Sequence, residues 1–383
     1  MKKRNIIFDH LRALSMLGVV AIHVGDLVMQ SGTPWNWLYL LCEVLSRYSV
    51  PTFFFISGYG LFYSHPLEKP LEYRSFIKKR FKSIGIPYVV TSLFYMGVAS
   101  LMARNLAMWH PKYVLFTLFF GLGNYHIYFL VILMWFYLLF PLWRSLMKKM
   151  EAMGLYLSLS ILFILELFLY RVCAHFWAYP QWVVDTPLLY DLLQYRLNYF
   201  PFFYLFVFMM GGVIARHYEA FLTFIRKWKK VLGAAFVLSA SCNTLIFYRW
   251  ILIHHMPLED TTNALQQLST PGLTYTVIFI LFASAVLDRY PEGKLPLLEK
   301  ISDRSFYIYL IHPFFLDQLS YWIDRAIVPF DRFPMPVFYV LLVTVSYVAA
   351  GLLQRIVPPL KRNLLARLPN NCLLYTSDAA DDL

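Results

Sequence analysis

The sequence predicts an all-α polytopic membrane protein of about ten transmembrane helices, with the N-terminus and C-terminus both cytoplasmic. Three observations carry that expectation. The 383-residue chain is 59% hydrophobic and its mean hydropathy is +0.55, well above the apolar share of a soluble domain. Its apolar residues fall in runs long enough to cross a hydrocarbon core, for which about 20 residues suffice. Its basic residues gather in alternate breaks between those runs, as the positive-inside rule requires of an even number of spans.

Leu11–Gln30 is the first span, with Arg12 at its edge and His23 inside it. Trp37–Tyr63 is the second, and Pro51 near its middle predicts a kink because proline has no amide N–H to give the helix. Ile84–Met102 follows a strongly basic break. Tyr113–Gly123 is apolar but too short to span, so a surface or re-entrant segment is expected. Tyr125–Trp143, Leu155–Val172, Tyr195–Ala215 and Val231–Ile253 come next, then Leu273–Leu287, the shortest of the set. Phe306–Ile323 and Val337–Val357 complete the ten. One integral-membrane domain over residues 5–359 is expected, followed by a cytoplasmic tail over 360–371. The last twelve residues, 372–383, read C-L-L-Y-T-S-D-A-A-D-D-L. They look like translated sequencing adaptor, a non-native tail that leaves open the loss of a downstream domain.

A net charge of +12 could suggest nucleic acid, but its distribution points to membrane orientation. The cytoplasmic pieces would hold Lys2, Lys3 and Arg4, the run from Lys69 to Lys82, Arg144 with Lys148 and Lys149, and Arg216 with Arg226 to Lys230. Arg289 to Arg304 and Lys361 to Arg367 complete them. Membrane lipids are therefore expected partners and nucleic acid is not. Cys42, Cys173 and Cys242 lie in or beside apolar spans, where a thiol behaves as a small hydrophobe. No spacing suggests a zinc site, another metal or a disulfide framework. No cleavable signal is expected either, since the first apolar run is too long and lacks a small-residue cleavage site.

Arg12 and His23 are the most informative pair. Eleven helical residues advance about 16 Å and turn about 1100°, so both side chains share one face. An arginine at the membrane edge and a histidine beyond mid-depth are costly in lipid and mark a functional site. Asp26 follows His23 by three residues, close enough to orient its imidazole as a carboxylate orients a general base. Asp9 and Arg12 are helical neighbours. Glu43 and Arg47, four apart, read mainly as a self-neutralising pair. Glu166 has no partner nearby in sequence. His126 opens the fourth span and His312 lies within the ninth; each is a secondary candidate, since a lone histidine more often serves as a hydrogen-bonder than as a catalyst. Ser57-Gly58 suits a tight helix contact. The basic stretch Arg74–Lys82 serves topology, and it also suits an anion site for a phosphorylated cofactor. No phosphate-cradling glycine loop and no G-x-S-x-G elbow occurs.

These residues carry a resemblance. F-D-H-L-R-A-L-S-M-L-G-V-V-A-I-H (Phe8–His23) contains arginine, ten residues and histidine. F-F-F-I-S-G-Y (Phe53–Tyr59), F-I-K-K-R-F-K-S-I-G-I-P-Y (Phe76–Tyr88), Y-H-I-Y-F-L (Tyr125–Leu130) and S-F-Y-I-Y-L-I-H-P (Ser305–Pro313) follow in order. Over Asn5 to about Pro359 the chain resembles the type-3 membrane acyltransferase family. The resemblance implies a ten-helix O-acetyltransferase-like enzyme of the bacterial plasma membrane. Its donor would be cytoplasmic acetyl-CoA or another acyl-CoA, and its acceptor a hydroxyl of an extracytoplasmic glycan or lipid-linked sugar. It makes His23 the essential histidine and puts Arg12 and Arg80 in the acyl-CoA-binding set. Where many relatives carry a further arginine beyond the position of Arg80, this chain has Lys82 and Ser83, which bears on donor binding.

The implied mechanism places the CoA phosphates on Arg12, Arg80 and Lys82 through charge-assisted hydrogen bonds. The thioester would lie near His23, acting with Asp26 as general base or itself as nucleophile, alternatives the sequence leaves open. Two other classes fit polytopic helices with intramembrane charge: a transporter or flippase for a lipid-linked glycan, and a non-catalytic membrane module of a larger protein. The chain shows no pair of similar halves with matched broken helices, the usual mark of a transporter.

Overall fold

A computed structural model describes residues 5–31, 36–173 and 179–366. The adaptor-like tail 372–383, Arg367 and the leading Lys2, Lys3 and Arg4 lie outside the described residues. The described residues form helices and connecting turns, with no strand among them. In chain order the helices are α1 (Ile6–Ser31), α2 (Asn36–Leu45), α3 (Ser49–Ser64), α4 (Tyr73–Arg80), α5 (Ile86–Ala103) and α6 (Pro111–Phe120). Then come α7 (Tyr128–Leu138), α8 (Phe140–Met153), α9 (Leu155–Cys173), α10 (Gln181–Val184), α11 (Pro187–Gln194) and α12 (Arg196–Tyr199). The last are α13 (Leu205–Arg216), α14 (Tyr218–Leu252), α15 (Leu258–Ala264), α16 (Thr270–Leu287), α17 (Pro296–Ala326) and α18 (Met335–Ala366).

Six of the described helices are long and apolar enough to cross a membrane, or seven if one bent pair counts as a single span. They cover the expected first, third, fifth, seventh, eighth and tenth spans, and the bent pair is the fourth. That pair, α7 and α8, turns by 65° at Leu139, just before Pro141. The expected second span is two helices separated by a turn at residues 46–48. Its break lies ahead of Pro51, which occupies the first turn of α3, where its missing N–H removes no intrahelical bond. The sixth is divided by a 3₁₀ turn at Pro201–Tyr204. The ninth lies within α17, which is 31 residues long but, with His312, Pro313, Asp317 and Gln318 along it, is not among the helices apolar enough to pass as a span. Over the short apolar piece runs α6, which ends at Gly121 in the left-handed conformation, φ 69°. α18 continues into the expected tail, as far as Ala366.

The chain divides into two compact units, residues 1–56 with 217–383, and residues 57–216. In the first, α1 is the central element and packs against α2, α16, α17 and α18. Leu11, Ala13, Met16, Val19, Val20, Val24 and Val28 are buried along it, so it is apolar on most of its circumference, as a helix surrounded by others must be. Tyr339 on α18 donates to the Leu17 carbonyl at 2.9 Å. Next to α16, Arg226 donates two hydrogen bonds to Asp288, at 2.7 and 2.8 Å, holding that carboxyl below the usual aspartate range.

The second unit relies on polar groups at its helix breaks. Arg144, buried on α8, donates to the carbonyls of His65, Leu67 and Lys69 at 2.8, 3.4 and 2.6 Å and fixes the turn after α3. A Cβ at Gly58 would overlap the Phe208 carbonyl, so α3 and α13 approach at the expected Ser57-Gly58 contact. Glu166, unpartnered in sequence terms, is buried on α9. It accepts from the Tyr170 hydroxyl at 3.0 Å and from the Phe206 backbone N–H at 2.7 Å. It thus satisfies an amide in the first turn of α13, which the break before that helix leaves without an intrahelical acceptor.

Glu166→Leu removes that acceptor from a buried N–H and should cost about 1–3 kcal/mol, read as a lower Tm in detergent. Glu166→Gln keeps a carbonyl oxygen in place and should retain most of the stability. Equal loss in both variants would contradict the capping role.

Candidate functional site

α1 is unbroken from Ile6 to Ser31, which holds Arg12 and His23 on one rigid element about 16 Å apart along its axis. At the first end, Arg12 Nη1 lies 3.3 Å from Asp9 Oδ1. His10 beside it is fully buried, with Nε2 3.6 Å from Glu299 Oε1 on α17. The sequence reading found the first pair and missed the second. No spacing rule links residues 10 and 299; the contact follows from the packing of α1 on α17.

Further along α1, His23 Nδ1 lies 3.6 Å from Asp26 Oδ2. The imidazole is largely buried while the Asp26 side chain is 46% exposed. With a carboxylate beside Nδ1, Nε2 is the nitrogen left for proton exchange. The His23 ring stacks on that of His312 from α17, with centroids 5.3 Å apart and planes inclined by 29°. His312 is 0% exposed. Its Nδ1 lies 3.0 Å from both the Ile308 and the Tyr309 carbonyl oxygens.

A third helix contributes a charge pair. Glu43 on α2 is buried and ion-paired with Arg47, one helical turn on, as the four-residue spacing suggested. Glu43 also packs on α1, since a Cβ at Gly25 would overlap its side chain. The structure therefore gathers His23, Asp26, Glu43, Arg47 and His312 within the first unit. Among the described residues no group of three or more His, Cys, Asp or Glu is arranged to hold a metal ion.

The other candidates lie in the second unit. Arg80 is buried at the end of α4, its guanidinium 5.4 Å from the Phe76 ring and 5.2 Å from the Tyr137 ring. A π-helical turn, Phe81–Gly85, follows it, carries the half-buried Lys82 and leads into α5. Turns of this kind occur often at functional positions. His126 is buried, with Nδ1 3.1 Å from Asn124 Oδ1 and its ring edge-on to Tyr95. Ser57 is half-buried next to the Gly58 contact.

A family model described as an acyltransferase domain matches residues 5–355. The chain belongs to the type-3 acyltransferase family. It is similar to "Putative membrane-bound acyltransferase YfiQ" of Bacillus subtilis, 24% identical over 80% of this chain and 79% of that protein. It is also similar to a "Probable poly-beta-1,6-N-acetyl-D-glucosamine export protein" of Staphylococcus epidermidis, 24% identical over 83% of each chain. A protein of the same name from Staphylococcus aureus is 25% identical over 64% of this chain and 63% of that one. No solved structure matches the chain significantly. As a member of this family, the chain is a membrane protein built around an acyltransferase domain.

The Gly25–Glu43 contact predicts a coupled pair of substitutions. Gly25→Ala should lower the Tm in detergent, because overlap with Glu43 costs about 1–3 kcal/mol and outweighs the helix propensity gained. In a Glu43→Ala background the same change should be neutral or stabilising. Additive effects in that double-mutant cycle would show that the two residues do not touch.

Proposed function

We propose that this protein crosses a bacterial plasma membrane ten times with both termini cytoplasmic. There it moves an acyl group, acetyl foremost, from cytoplasmic acyl-CoA to a hydroxyl of an extracytoplasmic or lipid-linked glycan. The observation that carries this reading is the His23–Asp26 pair on a buried, continuous helix, in a chain whose family is defined by an acyltransferase domain. The glycan acceptor is supported by relatives whose names refer to poly-N-acetylglucosamine. The three expected crossings beyond the seven apolar ones fall on the broken, short or polar helices described above.

In this mechanism His23 is the general base. Its Nε2 takes the proton of the acceptor hydroxyl as that oxygen attacks the thioester carbonyl. The tetrahedral intermediate then collapses, the C–S bond breaks, and the CoA thiolate recovers the proton from the His23 imidazolium. Asp26, beside Nδ1, holds the ring and stabilises that imidazolium. Arg12 in the first unit, and Arg80 and Lys82 in the second, are each assigned to donor binding in this reading, because arginine forks and lysine charge form charge-assisted hydrogen bonds with phosphate.

The test is transfer of label from acetyl-CoA, supplied on the cytoplasmic face of membrane vesicles, to vesicle glycan. Wild type should incorporate label, and His23→Ala should lose about 10²–10⁴-fold in rate while inserting normally. Equal incorporation by both would remove His23 from the mechanism. A second reading, export of a glycan without acyl transfer, draws on the names of the staphylococcal relatives. It predicts glycan movement that does not consume acyl-CoA.

A further inference from the structure

α17 contains a proline in its interior, Pro313, directly after His312. A proline within a helix has no N–H to give the carbonyl four residues back, which here is that of Tyr309. A buried carbonyl left without a donor is costly in a membrane-embedded helix and is satisfied by another group. The ring of His312 takes part at Tyr309: its Nδ1 lies 3.0 Å from that carbonyl oxygen and 3.0 Å from that of Ile308. A carbonyl oxygen only accepts, so both contacts require Nδ1 to carry the hydrogen. The neutral ring is thereby held in the Nδ1–H tautomer, with its lone pair on Nε2. Its side chain is fixed by its own backbone, fully buried, with the His23 imidazole stacked on its face at 5.3 Å.

We propose that His312 and Pro313 form a positioning device for His23. Pro313 withholds its amide from the Tyr309 carbonyl, the Ile308 and Tyr309 carbonyls hold the His312 ring, and that ring holds the His23 imidazole in its working orientation. The Asp26 carboxylate lies 3.6 Å from the Nδ1 edge of His23, and His312 packs on its face. Together they leave the ring little rotational freedom. This role rests on the proposed function of His23 as base. It also explains why a histidine and a proline stand side by side inside a transmembrane helix, where each alone is unfavourable.

The experiment uses the full-length protein in vesicles or detergent and three single variants. His312→Asn keeps an N–H donor near the Nδ1 position but removes the ring face. His312→Phe keeps a ring face but removes the donor. Pro313→Ala supplies a backbone N–H that competes for the Tyr309 carbonyl. Each should lower kcat per correctly inserted molecule, by about tenfold to a hundredfold for the His312 variants and by less for Pro313→Ala. The KM for the acyl donor should stay within about twofold, because His312 acts on orientation and not on donor binding.

A second readout needs no turnover. The rate at which diethyl pyrocarbonate modifies His23, followed by peptide mass spectrometry, reports the accessibility and nucleophilicity of its ring. That rate should change by about threefold or more in all three variants, in line with the kcat losses. It tests the coupling even if acetyl-CoA proves to be the wrong donor, so failure of the device and failure of the proposed function are distinguishable. Unchanged His23 modification in all three variants overturns the proposal. So does a loss of inserted protein with kcat per molecule unchanged, the outcome of a purely structural role.

Discussion

A chain embedded in lipid must satisfy its backbone polar groups from within, and the rest of this structure depends on how it does so where its helices break. An unbroken helix meets the requirement by itself. A break exposes amides and carbonyls that water cannot reach, and here named side chains replace the missing backbone partners. Glu166 accepts from the Phe206 amide in the first turn of α13. Arg144 donates to three carbonyls of the turn after α3. The His312 ring occupies the carbonyl that Pro313 cannot serve. Each of these polar residues is buried, and each would be difficult to accommodate in an uninterrupted apolar span.

The same constraint explains where the ionisable groups of the candidate site sit. α1 is shielded by α2, α16, α17 and α18, so a histidine on it faces protein. The two neighbours that bring ionisable partners are the imperfect ones: short α2, with Glu43 on it and Arg47 in the turn after it, and charge-rich α17, with Glu299 and His312. Among the helices that pass most easily as apolar spans, α18 brings a neutral side-chain donor, the Tyr339 hydroxyl, to the Leu17 carbonyl of α1. The clustered ionisable groups and the helical imperfections thus coincide within the first unit.

This coincidence also sets how much the sequence discloses. The helical class follows from hydropathy alone, and the first, third, fifth, seventh, eighth and tenth expected spans correspond to long apolar helices. Counting apolar runs passes over the breaks between α2 and α3 and at Leu139, because a three-residue turn with a single charge, Arg47, and a bend beside a proline are averaged away by hydropathy. Local pairs were legible because helical spacing fixes them: Arg12 with Asp9, His23 with Asp26, Arg47 with Glu43. Partners from distant segments were not. His10 with Glu299, His23 with His312 and Glu166 with Phe206 depend on packing that no local periodicity encodes.

The ten-residue interval between Arg12 and His23 acquires a physical meaning from α1 being continuous. On a rigid helix, eleven steps bring the two side chains back to nearly the same face. Inserting one residue between them would rotate everything beyond it by about 100° relative to Arg12. His23 could then keep its stack on His312 only if Arg12 turned away from its own surroundings. Asp26 would move with His23, since three residues of the same helix separate them, so the local pair would survive while the longer relation was lost. The interval therefore constrains the relation between the two ends of α1 more strongly than it constrains either end alone. On a continuous helix a fixed interval sets the relative orientation of two side chains before it sets the surroundings of either one.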